Sequence, residues 1–301
     1  MNSLSDITFA IPTYNRNDYL VKILDSIPDT ANVVISDNGG YVTQEIEDKY
    51  PNFLFVSPPE KLEMFQNWNF CISHIKTKWF TIQSDDDLYY PDKIHVISES
   101  IKQQSDCGLI IFGHDVIDEH GTVLSSWIPD KVNIYEPPFG YCYFKYGVDA
   151  RLPSIIFNTE LAKMNGLFSE RYGYTAADSL LIQKCSLSSR CALIPEIVAA
   201  YRVWPENFTS KLISTTGWLD RIDQWQDEII GIAELRMLEA NVKWSGDRIK
   251  DEVYTNNLIA GLRNLSSQSF MVKYDFFKSV RFPYNASIKS KLKILKTLFK
   301  G

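Results

Sequence analysis

Cysteine is scarce in this chain. Cys71, Cys107, Cys142, Cys185 and Cys191 are the only five in 301 residues. The number is odd and no two form a CxxC pair. A disulfide framework or a zinc knuckle is therefore not expected, and a reducing compartment fits. No stretch of about 18 apolar residues occurs, so nothing qualifies as a membrane span. Met1 to Asp6 is polar and runs straight into a strand-like segment at Ile7, so no signal peptide is expected. The four histidines, His74, His95, His114 and His120, have neither HxH nor HxxxH spacing. Positive charge is short as well: 31 Lys and Arg stand against 37 Asp and Glu, a net of −6. That balance argues against a nucleic-acid binder, which would be basic.

What is present fits a globular chain. Hydrophobic residues make up 45% and charged residues 23%, which excludes disordered, collagenous and coiled-coil architectures. Aromatic residues are plentiful, with 16 Tyr and 7 Trp; such rings suit sugar or base stacking, although most belong to a core. Charge is unevenly placed. From Phe276 to the end there are seven basic residues (Lys278, Arg281, Lys289, Lys291, Lys293, Lys296, Lys300) and no acid, which leaves a net of −13 on the rest. An acidic body with a basic tail demands a reason.

Strands and helices alternate through the first hundred residues. Strands are predicted at Ile7–Pro12, Asn32–Ser36, Phe53–Ser57, Trp79–Gln83 and Cys107–Ile117. Helices are predicted from Asn17 to Ile27, Thr43 to Tyr50, Met64 to Lys76, and Pro91 to Gln104, with Pro91 at the first helical position. Asp37-Asn38-Gly39-Gly40 is a strong turn signal. This alternation implies an α/β fold with a mostly parallel, doubly wound sheet, in which ligands bind beyond the carboxyl ends of the strands. Three polar clusters fall at those ends: Thr13-Tyr14-Asn15-Arg16, Asp37-Asn38-Gly39 and Asp85-Asp86-Asp87. Further on, Asp118 to Gly121 reads as a hairpin turn and Tyr135 to Tyr146 as an ordered loop over a cleft. Ser154–Phe157 reads as a short strand, with Thr159 capping the helix after it. Asp178 is expected to open a helix, and Ile197–Trp204 to form a strand. After Thr216 the pattern is helical, over about 218–240, 247–265 and 288–299.

Three consecutive aspartates repel one another unless a cation or hydrogen-bond donors relieve them. A hard divalent cation, Mg²⁺ or Mn²⁺, takes oxygen ligands and bridges to phosphates. Asp85, Asp86 and Asp87 therefore read as a metal–diphosphate site, or else as a solvated acidic turn ahead of Pro91.

The ordered set Ala10-Ile11-Pro12-Thr13-Tyr14-Asn15-Arg16, Ser36-Asp37-Asn38-Gly39, Asn67-Trp68-Asn69, Ser84-Asp85-Asp86-Asp87 and Pro91-Asp92 resembles a family 2 glycosyltransferase of bacterial surface-polysaccharide type. The likeness continues at Asn165-Gly166-Leu167-Phe168, Ala177-Asp178 and Tyr201-Arg202, covering roughly residues 5 to 210. It implies the GT-A fold, a nucleotide-sugar donor, a divalent metal and an inverting transfer. On that likeness Pro12, Thr13, Tyr14, Arg16, Asp37, Asn67, Asp85 and Asp86 would bind the nucleotide-sugar, with the Tyr14 ring near the base. Asp86 and Asp87 would hold the metal as Lewis acid and template, with Asp85 facing the ribose or the metal; many relatives have an acid where this chain has Ser84, so which two aspartates ligate is open. Asp178 matches the general base that deprotonates the acceptor hydroxyl; it reads equally as the cap of its own helix. Glu170 and Asp149 are weaker candidates for the base.

Two departures stand out. Relatives often carry an acid where this chain has Ala177, and a metal-binding His where it has Trp204, followed by Pro205-Glu206-Asn207. Trp has no lone pair for a metal, so Trp204 is a candidate for stacking on the acceptor, with His114 as a second acceptor residue. Lys61 and Asn69 are read as support.

Ile288, Leu292, Leu295 and Phe299 form one stripe of a helix, with Lys289, Lys293, Lys296 and Lys300 beside it. That is the composition of an interfacial helix on an anionic membrane, where each Lys contributes about 1 kcal/mol, or of a helix packed on the domain with its lysines in water. The expectation is a catalytic domain at 1–214 and a helical region at 215–301. The enzyme would be a metal-dependent inverting glycosyltransferase, using a UDP-linked donor and an oligosaccharide or lipid-linked glycan acceptor of capsule or O-antigen. It would be cytoplasmic, with peripheral contact at the inner face of the plasma membrane through residues 287–300; an oligomer is left open. Two rivals remain. A sugar-nucleotide pyrophosphorylase would need a glycine-rich loop after the first strand, absent here. A non-catalytic nucleotide-sugar-binding or scaffold subunit is favoured by Ala177 and Trp204.

Overall fold

The computed structural model describes residues 3–173, 175–204 and 211–299. Pro205, Glu206, Asn207 and Lys300 lie outside the described residues. The first half alternates β1 (Ile7–Thr13), α1 (Asn17–Leu24), β2 (Asn32–Asp37), α2 (Gln44–Lys49), β3 (Leu54–Val56), α3 (Met64–Ser73) and β4 (Trp79–Ile82). Then come β5 (Leu88–Tyr89), α4 (Ile94–Gln103), β6 (Leu109–Ile117), β7 (Val123–Trp127), β8 (Asn133–Tyr135) and α5 (Phe139–Phe144). They are followed by β9 (Ile155–Asn158), α6 (Thr159–Met164), α7 (Ala177–Ser188) and β10 (Cys191–Arg202). The chain then continues through α8 (Thr216–Glu239), α9 (Gly246–Asn264), α10 (Phe270–Lys278) and α11 (Ile288–Phe299). Among the described residues no helix is long and apolar enough to cross a membrane.

The sheet runs β3-β2-β1-β4-β9-β6-β10-β5, with β7 against β6 and β8 against β10. β1, β2, β3 and β4 pair in parallel, as do β6 and β10. β9 lies antiparallel between β4 and β6 and so keeps those two pointing the same way. The carboxyl ends of β1, β2, β4, β6 and β10 therefore share one edge.

Alternating side chains feed two cores. Ile7, Phe9 and Ile11 pack with Leu20 and Ile23 of α1 and Ile97 of α4 on one face. Ala10, Ile82 and Ile111 pack with Ile72 of α3 and Leu181 of α7 on the other. Because both faces are covered, the strands read as unbroken apolar runs. A third core joins α8, α9, α10 and α11 to Leu180 and Leu187 of α7 and to Tyr141 and Tyr172. The C-terminal helices are thus bolted to the back of α7. Arg281 strengthens that corner: Nε and Nη2 donate to Asp223 at 2.5 and 2.6 Å, and Nη1 to Asp251 at 2.5 Å.

Four expectations need adjustment. The sheet is mixed: β1–β4 and the β6–β10 pair are parallel, whereas β9, β5 and the β7 and β8 ribbons pair antiparallel. Tyr135–Tyr146 is not a loop: it holds the end of β8 and the helix α5, whose Tyr141 and Phe144 are buried. Asn158, not Thr159, caps α6, its Oδ1 accepting the Leu161 amide at 3.0 Å. The helix α10 has no counterpart among the predicted elements.

Gly261 on α9 faces the backbone after the sheet. A Cβ there would stand 2.7 Å from the Ile213 carbonyl oxygen and 3.0 Å from the Phe276 ring. Gly261→Ala is expected to destabilise the fold by about 1–3 kcal/mol through overpacking. Thermal unfolding tests this; an unchanged midpoint would mean that α9 is free to shift.

Candidate functional site

Three aspartates sit buried at the shared edge. β4 ends at Ile82 and the chain turns through Ser84-Asp85-Asp86-Asp87 before β5 pairs antiparallel with β10. That pairing brings the aspartates beside Arg202. The turn after β1 is built without glycine. Asn15 takes φ 54°, a left-handed conformation that Asn tolerates better than most residues. Arg16, just beyond the bend, meets the aspartates.

Each carboxylate has a distinct setting. Asp85 Oδ2 accepts from Thr13 Oγ1 at 2.7 Å, and its Oδ1 from Arg16 Nη1 at 3.3 Å. Burial pushes its pKa up to about 6 against the pull of Thr13 and Arg16. Asp86 Oδ2 accepts from Arg16 Nη1 at 2.8 Å and from the Trp204 indole Nε1 at 2.7 Å. Asp87 Oδ1 accepts the Arg202 amide at 2.9 Å. Burial, and after it the neighbouring Asp86, drives the Asp87 carboxyl well above the usual range. The Arg202 guanidinium binds carbonyl oxygens instead: Asp86 at 2.7 Å through Nε, and Asp118 at 2.6 Å through Nη1. It ties the aspartate loop to the β6–β7 turn. Among the described residues, Arg16 is the one side-chain cation within hydrogen-bonding reach of these carboxylates.

Two cavities adjoin the aspartates and share Trp68 and Ser84. The smaller, about 360 Å³, is lined by Pro12, Thr13, Tyr14, Arg16, Asn67 and Asp85, with Asn38 and Lys61 at its side. Lys61 Nζ donates to the Tyr14 hydroxyl at 2.8 Å and holds that phenol below its ordinary pKa. The larger, about 510 Å³, holds Asp87 and Asp178 with Arg151 and Tyr201, walled by Tyr146, Trp218 and Trp225. Asp178 stands on the second residue of α7. Its Oδ1 accepts the Ser179 amide at 2.7 Å. The N-cap of α7 is Ala176, in the left-handed region at φ 60°, and no side chain caps the helix. Asp178 therefore does not cap α7, and the left-handed Ala176, two residues before it, lines the same cavity.

Several expected residues stand elsewhere. Asp37 lines neither cavity: its oxygens accept the amides of Tyr41 at 3.0 Å and Val42 at 2.8 Å and shape the turn after β2. Asn67 lines the smaller cavity but its Oδ1 accepts from Ser36 Oγ at 2.5 Å, a brace. Asn69 clamps Phe168 at both backbone groups. Trp204 does not line the larger cavity; its ring meets Tyr19 edge-on at 5.4 Å, so acceptor stacking is replaced by a bond to Asp86. His114 is buried against Trp127, outside both cavities, and burial lowers its pKa to about 4. Glu170 and Asp149 are exposed and line neither of these two cavities. Arg151 and the tryptophans of α8 come from segments that carry no motif, whereas Tyr146 ends the segment expected over a cleft. Tyr201-Arg202 was visible as a motif, but not its grip on the aspartate loop.

Among the described residues no group of three His, Cys, Asp or Glu is arranged to hold a metal ion. Asp86 and Asp87, the expected pair, each have one oxygen already engaged, and Trp204 occupies the third position as a donor. The protein side chains alone are too few for a hard cation.

Residues 8–155 match the family model described as Glycosyl transferase family 2. An uncharacterized glycosyltransferase of Rickettsia typhi is 28% identical over 181 residues, 56% of this chain and 55% of the relative. One from Rickettsia prowazekii is 27% identical over the same lengths. The chain thus spans about half the length of these curated relatives. The structure of S. aureus TarS in complex with UDP-GlcNAc superposes with a TM-score of 0.60 at 15% identity, covering 97% of this chain and 79% of that one. Mannosyltransferase PcManGT from Pyrobaculum calidifontis, in complex with GDP-Man and Mn²⁺, gives 0.52 at 14% identity, covering 98% and 85%. The fold is the GT-A fold of these neighbours.

The raised pKa of Asp85 has a stability consequence. The native state holds this proton more firmly than the unfolded chain, whose value is near 3.8. Stability from this group is therefore lost as pH rises from about 4 to 6 and stays lost above. Asp85→Asn should gain about 1–3 kcal/mol relative to wild type between pH 4 and pH 8. Urea unfolding across that range measures it; a difference that does not change with pH would contradict it.

Proposed function

We propose that the chain, whose residues 8–155 match the family model described as Glycosyl transferase family 2, is an inverting glycosyltransferase acting on a nucleotide-sugar. The observation that carries the reading is the pair of cavities meeting at Trp68 and Ser84, with Asp85 facing one and Asp87 and Asp178 the other. The smaller takes the nucleotide: Tyr14 offers a ring for the base, and Thr13 and Arg16 stand at the aspartates, toward the diphosphate. The larger takes the acceptor, and its aromatic lining suits a sugar.

The reaction on this reading is a single in-line displacement. Asp178 takes the proton of the acceptor hydroxyl as its oxygen attacks the anomeric carbon. The bond from that carbon to the diphosphate oxygen breaks, and configuration inverts. Arg16 supplies positive charge near the departing diphosphate. Asp86 and Asp87 would hold a Mn²⁺ or Mg²⁺ ion together with the bound donor, and the ion would supply Lewis-acid neutralisation of the leaving group. We take the donor as UDP-linked, in keeping with the TarS neighbour bound to UDP-GlcNAc; the GDP-Man of the mannosyltransferase makes GDP-sugars the control. The acceptor is a glycan of a bacterial surface polysaccharide, capsule or O-antigen, built in the cytoplasm at the inner face of the plasma membrane.

One observation favours a second reading. One oxygen of Asp86, Oδ2, is claimed by both Arg16 and Trp204, as it would be in a subunit that binds nucleotide-sugar without turnover. Nucleotide release from UDP- and GDP-sugars, with Mn²⁺ and with chelator, separates the two: release supports the enzyme, and metal-independent binding without release supports the subunit.

Two outcomes are expected of the enzyme. Asp178→Asn should slow transfer by about 10²–10⁴-fold while donor affinity, read by calorimetry, stays within twofold. Normal transfer by that variant would remove Asp178 as the base. Mn²⁺ titrated alone should give little heat, whereas Mn²⁺ with UDP should bind tightly; equal binding of the ion in both would show a site made by protein alone.

A further inference from the structure

The stripe of Ile288, Leu292, Leu295 and Phe299 is not the face that packs on the protein. In α11 the buried residues are Ile294 and Leu298, which enter the C-terminal core. The stripe lies about 110° round the helix from them, at ~100° per residue. It is open to solvent: Ile288 is 75% exposed, Leu292 60% and Phe299 68%. Lys289, Lys293 and Lys296 stand on the stripe's other flank, all exposed, and among the described residues none has a carboxylate within 4.0 Å. Arg281, counted with the basic tail in the sequence, is instead bound to Asp223 and Asp251.

A second helix extends the stripe. Phe270 of α10 stacks on Phe299 at 5.5 Å and on Tyr274 at 5.7 Å. Tyr274, one turn on from Phe270 and on the same side of α10, is 37% exposed. Two helices thus hold one apolar and aromatic surface outward, in fixed geometry, with lysines along its edge. Contiguous surface of this kind marks an interaction site.

We propose that this surface of α10 and α11 docks on an anionic lipid bilayer. Apolar side chains and aromatic rings would enter the headgroup boundary, and Lys289, Lys293 and Lys296 would face lipid phosphates. Charge complementarity selects this partner. The surface carries unpaired lysines, and the rest of the chain is acidic, with a net of −13 outside the tail. A second copy would meet like charge with like at this edge. Attachment of this kind is independent of the catalytic assignment, because its residues line neither cavity of the site.

Co-sedimentation with vesicles tests it, using phosphatidylcholine alone and phosphatidylcholine mixed with phosphatidylglycerol. The full chain should partition at least tenfold more strongly onto the mixed vesicles and lose that binding in high salt. Lys289→Gln/Lys293→Gln/Lys296→Gln and, separately, Leu292→Ser/Leu295→Ser should each reduce partitioning at least fivefold. UDP binding and thermal midpoint serve as controls for folding and should stay unchanged. Equal partitioning onto the two vesicle types overturns the proposal, as does wild-type partitioning by both variants. Analytical ultracentrifugation adds a further arm: a dimer that Leu292→Ser/Leu295→Ser dissolves, with no vesicle binding by wild type, would assign the surface to a second copy.

Discussion

Buried negative charge at the edge of the sheet is the constraint around which this structure is organised. Three aspartates follow one another at the end of β4, each under a tenth exposed. Desolvation and mutual repulsion raise Asp85 and Asp87. The fold tolerates the arrangement by surrounding it with donors: a hydroxyl from β1, a guanidinium from the turn after β1, a backbone amide from the end of β10 and an indole two residues beyond it. Those donors come from segments more than sixty residues apart in the chain. The strands must therefore be paired in register before the loop is stable. A site that carries excess negative charge is held ready for a positively charged or hydrogen-bonding companion.

The second organising feature is the third core. The helices after Thr216 do more than extend the chain. Trp218 and Trp225 of α8 and Asn257 of α9 wall the larger cavity, and Trp225 Nε1 donates to Gln183 of α7 at 3.1 Å. Gln183 in turn donates to the Phe144 carbonyl at 2.9 Å. The same helix that carries Asp178 is thereby locked to the helices that wall the larger cavity. The site and the tail helices form one mechanical unit, although they differ in charge.

Much of the fold was legible because its signals are local. Apolar runs at Ile7–Ile11 and Trp79–Ile82, turn residues at Asp37–Gly40 and the proline at 91 each follow from neighbouring residues. The aspartate cluster was legible for the same reason. What stayed hidden depends on distant pairing. The antiparallel insertion of β9 is invisible in a four-residue run that reads like any buried strand. Asp37 looked like a ligand, since an aspartate at a strand end is chemically able to be one, yet two amides of its own turn claim it. Trp204 looked free to stack because its bond to Asp86 spans 118 positions. The tail stripe was read correctly as a periodic pattern, but periodicity does not say which apolar face is turned inward. Ile294 and Leu298 take that place.

The measurement that bears most directly on this account is a crystal structure with UDP and Mn²⁺. The account places uridine beside Tyr14 and the diphosphate at Arg16 and Ser84, leaving the cavity of Asp178 open beside it. Nucleotide lodged between Tyr146 and Trp225, or no nucleotide bound beside the aspartates, would contradict it.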